Sequence, residues 1–297
     1  MALSFPLHVA LAQTVTELPD ADLAIEWKVD GHRLILAHTE AGPLIQAGRS
    51  GRTVTPLFPD LAEVAARLDI GTVLDGEGVV LRAGRLDFSA MQSRALAAPR
   101  RAAAMARTLP AHYVAFDVIA DGGEDVRGWP YWRRRARLEE LVVPLGPPLQ
   151  VVPMTRDRKQ ALTWLADEAL AAVGLEGLVL KPWSQPYPRG RGWLKLRLSV
   201  PRDAVAIGYT GRAQAPVRLV VDLGAEGLGL STPLTVELRH LLTQALKVSG
   251  TGTRKTARLA DGSPYWLLDQ PLPVEVDHGA TRHPATTVRR LRPDLAQ

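Results

Sequence analysis

Glu26-Trp27-Lys28-Val29-Asp30-Gly31-His32-Arg33 is the stretch on which the reading of this chain turns. One lysine stands between two carboxylates, with a glycine and an arginine just beyond. The chain holds six lysines against thirty arginines, so lysine is the rarer cation at any position. Arginine cannot replace a lysine that must lose its proton and attack, because guanidinium stays protonated in proteins. A lysine amine becomes nucleophilic when it is desolvated or set beside another cation, and it can then form a covalent intermediate. The same eight residues also suit a surface strand carrying an ion pair. Around them, Ala24-Ile25 leads in, Asp30-Gly31 signals a turn and Leu34-Ile35-Leu36 leads out. That strand–turn–strand unit sets Lys28 near a strand end, where a tight turn can present it in a pocket.

Further blocks follow in order: Arg49-Ser50-Gly51, Leu74-Asp75-Gly76-Glu77, Ala115-Phe116-Asp117, Glu176-Gly177-Leu178-Val179-Leu180-Lys181 and Trp193-Leu194-Lys195-Leu196-Arg197. Near the end come Arg282-His283-Pro284 and Arg289-Arg290-Leu291-Arg292-Pro293-Asp294. Three of the six lysines, Lys28, Lys181 and Lys195, fall inside these blocks. The set resembles motifs I, Ia, III, IIIa, IV, V and VI of the covalent nucleotidyltransferases, which comprise ATP-dependent DNA ligases, RNA ligases and mRNA capping enzymes. The resemblance covers nearly the full length, and its last block is similar to that of DNA ligases. Met91-Gln92-Ser93-Arg94 also resembles a segment of bacterial DNA ligases.

Composition narrows the class. A chain of 297 residues accommodates two domains, and 46% apolar with 23% charged residues is ordinary for a globular protein. The absence of cysteine excludes disulfides, thiolate zinc sites and cysteine nucleophiles. It also argues against NAD-dependent ligases, which usually carry a cysteine zinc module. Net charge is +5 and the pI about 9.7, mildly basic as expected of a protein that meets polyanions. No apolar run approaches the roughly 20 residues of a membrane span. Met1 to Ala12 is apolar and ends in Ala10-Leu11-Ala12, but it lacks a positive start and is interrupted by Pro6, which argues against a signal peptide; the resemblance implies a segment that packs on the core.

Along the chain, helical spacing appears at Leu61 to Leu68, Ala95 to Thr108, Arg133 to Val142 and Arg158 to Ala172. Val73-Leu74 and Val79-Val80-Leu81 flank a second acidic turn, Tyr113 to Ile119 and Leu175 to Leu180 read as strands, and Ser184 to Gly192 as a loop. Near Leu198 to Arg202 the pattern changes to short strands (Val205 to Tyr209, Arg218 to Leu223, Gly227 to Leu230, around Trp266, Val274 to Asp277) with one helix at Thr235 to Lys247. Such a module suits an OB-type barrel. The pattern alone gives α+β followed by a small all-β module. The resemblance implies a nucleotidyltransferase (adenylation) domain over 1–199 and an OB-fold β-barrel domain over 200–297.

The resemblance also implies roles. Lys28 is the nucleophile, with Lys181 and Lys195 binding the α-phosphate and lowering its pKa by like charge. Glu26 accepts the adenine amino group, and Arg33 meets the ribose or nick phosphates. Arg49 and Arg197 meet phosphate, Arg197 standing where many relatives have a second lysine. Glu77 meets the ribose hydroxyls or the metal, and Glu176 holds Mg²⁺ or Mn²⁺, hard cations that prefer oxygen. Phe116 stacks on adenine or is a plain core aromatic, and Asp75 serves equally as a turn residue before Gly76. Arg289, Arg290, Arg292 and Asp294 orient the departing pyrophosphate. Leu295 stands where relatives often carry lysine. Two basic clusters, one of Arg94, Arg100, Arg101 and Arg107, the other of Arg133-Arg134-Arg135 beside Trp129 and Trp132, suit DNA phosphates or a solvated helix face.

The expectation is an ATP-dependent DNA ligase of minimal bacterial form, sealing 5′-phosphate/3′-hydroxyl nicks in duplex DNA through a lysyl-AMP intermediate, in repair. The minimal form is expected to have no DNA-binding domain ahead of the first motif and no attached polymerase or nuclease domain. ATP and Mg²⁺ (or Mn²⁺) are the expected cofactors and nicked duplex DNA the partner. The chain is expected to be a cytoplasmic, nucleoid-associated monomer with no membrane attachment. An RNA ligase or capping guanylyltransferase is the alternative within the class, and a non-catalytic nucleic-acid-binding protein on the same scaffold the alternative outside it.

Overall fold

The computed structural model describes residues 3–197, 199–248, 255–279 and 286–295. The chain divides into two compact units, Met1–Leu198 and Ser199–Gln297.

Two sheets build the first unit. One has five strands in the order Leu11–Val15, Arg191–Arg197, Leu175–Pro182, Leu23–Val29 and Met154–Thr155. The other runs Gly42–Ala47, His32–Thr39, Val73–Arg82, Ala111–Asp121 and Glu124–Asp125, with two short strands added. The centre of His32–Thr39, Leu34 to Ala37, is buried on both faces and is accordingly an unbroken apolar run. Leu34 and Leu36 join a core under helices Pro59–Ala65, Phe88–Ala95 and Tyr131–Val142. Ile35 and Ala37 join a second core with Val73, Ile119 and Trp193, which ties the two sheets together. Leu7 and Ala10 lie in that same layer, so the apolar start of the chain is core. Helix Arg158–Ala166 covers the outer face of the five-stranded sheet through Ala161, Trp164 and Leu165.

The strand–turn–strand reading needs one correction. Leu23–Val29 and His32–Thr39 do not pair; they belong to different sheets, and Asp30-Gly31 carries the chain from one to the other. A Cβ on Gly31 would meet Glu77 Cγ and Val79 Cγ1 at 2.8 Å. Glycine is what lets the crossing lie against the second sheet. The acidic turn at Asp75-Gly76 is corrected too, since Val73–Arg82 is one continuous strand and Asp75 is buried at its middle. A Cβ on Gly76 would meet the Tyr113 ring at 2.5 Å, so this strand glycine marks a close approach rather than a bend. The helix expected over Ala95 to Thr108 starts only at Pro99, and the one expected over Arg158 to Ala172 breaks in two at Asp167. Pro99 opens a new helix, Pro99–Thr108, after Phe88–Ala95. Asp167 caps Glu168–Val173 by accepting from Ala169 and Leu170.

The second unit is a six-stranded sheet: Leu228–Leu230, Ala215–Asp222, Ser199–Arg212, Pro264–Gly279 and Thr256–Arg258 in order, with Thr286–Leu291 on Pro264–Gly279. A parallel bridge from Ser231 to Thr286 closes it, and Thr232 N–H donates to the Thr286 carbonyl at 2.7 Å. Helix Val236–Val248 packs Leu238 and Leu242 into the barrel core beside Leu219 and Val276. The fold is therefore α+β, a two-sheet unit followed by a small β-barrel, in line with the expected arrangement.

Candidate active site

Strand register decides which side chains converge. Lys28 lies opposite Gly177, which lies opposite Arg197; Glu26 lies opposite Val179, which lies opposite Lys195. Side chains alternate along a strand, so Glu26, Lys28, Lys181, Lys195 and Arg197 share one face. Glu176 reaches that face through a bulge: Leu175 pairs with Val29 and Gly177 with Lys28, leaving Glu176 as the extra residue. Gly177 has φ +144°, a conformation that favours glycine. The bulge aims Glu176 at Lys28, and the two form an ion pair.

Glu77 comes from the facing sheet, opposite Arg33 and Val114. Burial lowers the Lys28 pKa, Glu77 and Asp30 raise it, and Arg197 and Lys195 lower it further. Lys195 is lowered by burial and by Arg197 and Arg49. Burial pushes the Glu77 carboxyl up to about 8 against the pull of Lys28 and Arg33. The result is an amine of reduced basicity, still 22% exposed and paired with a carboxylate 11% exposed, facing a rim of Lys195, Arg197 and Arg49. Among the described residues no three His, Cys, Asp or Glu side chains gather as a metal site. Two carboxylates nevertheless fit Mg²⁺, which usually takes one or two and completes its shell with water and substrate phosphates. Glu176 and Glu77 would hold it.

Lys181 lies elsewhere. Its backbone pairs opposite Ala24, roughly 13 Å along the strand from the backbone of Lys28, and its amine reaches the Glu26 side chain between them. At 1% exposure its amine donates to the Phe116 carbonyl at 2.6 Å and sits 2.9 Å from Glu26 Oε2. Its expected place beside the Lys28 amine is therefore corrected. Glu26, also 1% exposed, receives the Tyr131 hydroxyl at 2.5 Å, with Arg135 Nη1 3.5 Å away. Asp117 takes Arg134 in a fully buried two-bond pair at 2.7 and 3.1 Å. Phe116 is the extra residue of another bulge, between the pairs Asp75–Asp117 and Gly76–Ala115. It stays partly exposed, edge-on to Trp193 at 5.9 Å.

Several residues expected at substrate are paired with carboxylates of the chain itself. Arg33 gives Nε and Nη2 to Asp75 at 3.0 and 2.6 Å and Nη1 to the Ala10 carbonyl, and Tyr187 donates to the same aspartate at 2.6 Å. Those bonds tie the Ala10 carbonyl, through Arg33, and the Tyr187 hydroxyl to Asp75 at the middle of the Val73–Arg82 strand. Arg94 is buried on Asp60, and Arg134 and Arg135 are buried in the network above, so neither basic cluster stands whole at the surface. Arg289, Arg290 and Arg292, in the second unit, are paired there with Glu275, Asp277, Asp203 and Asp294. Arg282-His283-Pro284 lies outside the described residues. Sequence reasoning missed Tyr131 and Tyr187, and placed Arg135 in a basic cluster rather than beside Glu26. Tyr131 directly precedes the Trp132-Arg133 pair, and no local pattern marked it as a partner of Glu26.

Displacement at phosphorus by an amine requires the attacking group to lose its proton and the departing charge to be neutralised. The neighbourhood of Lys28 meets both demands on a two-sheet scaffold followed by an OB barrel, which places the chain in the class of covalent nucleotidyltransferases. Within that class the chain belongs to the ATP-dependent DNA ligase family, whose domain matches residues 3–197. DNA ligase C2 of Mycolicibacterium smegmatis is 34% identical over 207 residues, 69% of this chain and 57% of that protein. The multifunctional non-homologous end joining protein LigD of Pseudomonas aeruginosa is 33% identical over 229 residues, 75% of this chain and 25% of that protein. A solved mycobacterial DNA ligase D complexed with ATP and MES aligns over 97% of this chain and 94% of its own, with 27% identity and a TM-score of 0.52. This chain thus spans little more than half the length of the ligase C2 relative. Among the described residues no helix is long and apolar enough to cross a membrane.

Proposed function

We propose that the protein joins 5′-phosphate and 3′-hydroxyl ends at nicks in duplex DNA, using ATP and a covalent AMP carried on Lys28. The carrying observation is the Lys28 amine, of lowered basicity and partly accessible, between Glu176 and Glu77 with Lys195 and Arg197 beside it. In the first step the neutral amine attacks the α-phosphorus of ATP; a P–N bond forms, the bond from the α-phosphorus to the bridging oxygen breaks, and pyrophosphate leaves. In the second, the 5′-phosphate of the nick displaces Lys28, which departs as the amine. In the third, the 3′-hydroxyl attacks the activated phosphorus and AMP departs.

Lys195, Arg197 and Arg49 would neutralise phosphate charge in these displacements. Glu26 would read the adenine amino group and Phe116 would stack on the base. Lys181 would act from the Glu26 side of the site, not on the α-phosphate next to Lys28. A divalent cation held by Glu176 and Glu77 would supply Lewis-acid neutralisation of phosphate oxygens. Arg289 and Arg292 would orient pyrophosphate once released from their carboxylates. The first unit is the adenylation domain and the second the OB domain. The LigD relative favours a role in DNA repair, with the protein acting as a monomer at the nucleoid in the cytoplasm. Incubation with α-labelled ATP and Mg²⁺ tests the reading. A labelled protein band that disappears in Lys28→Ala is expected, and no band, or a band that survives the substitution, overturns it. Parallel sealing of nicked DNA and nicked RNA separates DNA from RNA ligase chemistry.

A further inference from the structure

The run Arg133-Arg134-Arg135 splits on folding. Arg134 and Arg135 turn inward to Asp117 and Glu26, while Arg133 stays exposed with its guanidinium 3.6 Å from the centre of the Trp129 ring. Among the described residues Arg133 has no carboxylate partner. Beside it Trp132 is 46% exposed, the most exposed of the seven tryptophans. Its backbone N–H donates to the Trp183 carbonyl at 3.1 Å, and Arg156 lies 4.3 Å over the Trp183 ring. Three tryptophans therefore gather where helix Tyr131–Val142 begins, two of them topped by guanidinium groups. Trp183 also packs edge-on to Tyr131 at 6.0 Å, and the Tyr131 hydroxyl bonds Glu26. The patch lies one side-chain layer from the proposed nucleotide site and outside it.

We propose that this patch binds unpaired bases of a single-stranded DNA tail next to the end being joined. Every base has a π-face, so an open indole and guanidinium-capped indoles form a stacking platform indifferent to sequence. The unpaired charge of Arg133 meets the backbone phosphates of the same strand. A protein-docking patch would show an apolar centre. In the segments 127–137 and 183–189, however, Trp132 is the one exposed large apolar side chain. The proposal rests on the DNA-joining reading and narrows its substrate to ends that carry single-stranded tails.

Fluorescence anisotropy of labelled oligo-dT, and of a nicked duplex with and without an oligo-dT tail, tests it with the full chain. The tail is expected to tighten binding about tenfold, as one stacked base can supply. Trp132→Ala should remove that gain, and Arg133→Gln should weaken it and flatten its salt dependence. Neither substitution should change AMP labelling of Lys28. A tail that adds nothing, or variants that keep the full gain, overturns the proposal and leaves a protein partner as the occupant. Labelled Lys28 with no tail effect overturns only this surface, whereas unlabelled Lys28 overturns the joining reaction itself.

Discussion

The Leu23–Val29 and Leu175–Pro182 strands carry charges at both ends, and the two ends treat them in opposite ways. Around Glu26, Lys181, Asp117 and Arg134 every charge is buried and answered by a partner of opposite sign. Around Lys28, charges of like sign crowd together and remain partly exposed: Lys195, Arg197 and Arg49 on one side, Glu77, Glu176 and Asp30 on the other. A buried charge is tolerable only when paired and hydrogen-bonded, so the first end is a fixed network, suited to holding a base through Glu26 but not to reacting. The second end leaves an amine and a carboxyl with shifted pKa values, which is how a reactive site differs from a structural one.

The largest effect that would break this comparison lies at Lys28. Lys28→Arg keeps the charge but cannot lose its proton, so AMP labelling measured by intact mass should fall to background, as in Lys28→Ala. Arg134→Ala comes next. It removes the two-bond partner of Asp117, leaving only Lys181 at 3.6 Å and the Val118 N–H, and should cost about 3 kcal/mol of stability in urea unfolding. Glu176→Ala, by contrast, should change stability by less than about 1 kcal/mol, because its ion pair is partly solvated, while labelling collapses. If Glu176 proves as costly to stability as Arg134, the division between the two ends fails. Tyr131→Phe removes one charge-assisted hydrogen bond from Glu26. A loss of about 1.5 kcal/mol should appear as a roughly tenfold higher KM for ATP in self-adenylation with kcat unchanged.

The smallest effect is a pH dependence. The folded Glu77 pKa of about 8 lies above its ordinary 4.5. The stability this carboxyl contributes is therefore fully present below 4.5 and is lost as pH rises through 8. Glu77→Gln should remove that slope in unfolding measured across this window. Mg²⁺ affinity, followed by calorimetry, should climb with pH in the native protein and flatten in the variant, since the ion binds the ionised form.

The reactive end was the more legible in sequence. Lys28, Glu77, Glu176, Lys195 and Arg197 were all named from their motifs, and the structure brings them together with Arg49. The fixed end was read less well, because residue type reports charge and not burial. Arg33, Arg94 and Arg134 suit phosphate by residue type, and the carboxylates that hold them, Asp75, Asp60 and Asp117, lie 42, 34 and 17 residues away. Bulges at Glu176 and Phe116 shift a side chain by one register position, and no local propensity announces them. The two-sheet topology was hidden in the same way. Asp30-Gly31 has the composition of a hairpin turn, and only the packing of Gly31 on Glu77 and Val79 shows that it joins separate layers.

That crossing ties catalysis to the seam of the fold. Lys28 hangs from one layer and Glu77 from the other, so their alignment is only as steady as the apolar contacts of Ile35, Val73, Ile119 and Trp193 between them. A trimmed methyl in that seam, far from any phosphate, would surface first as a slower reaction in a protein that still melts cooperatively.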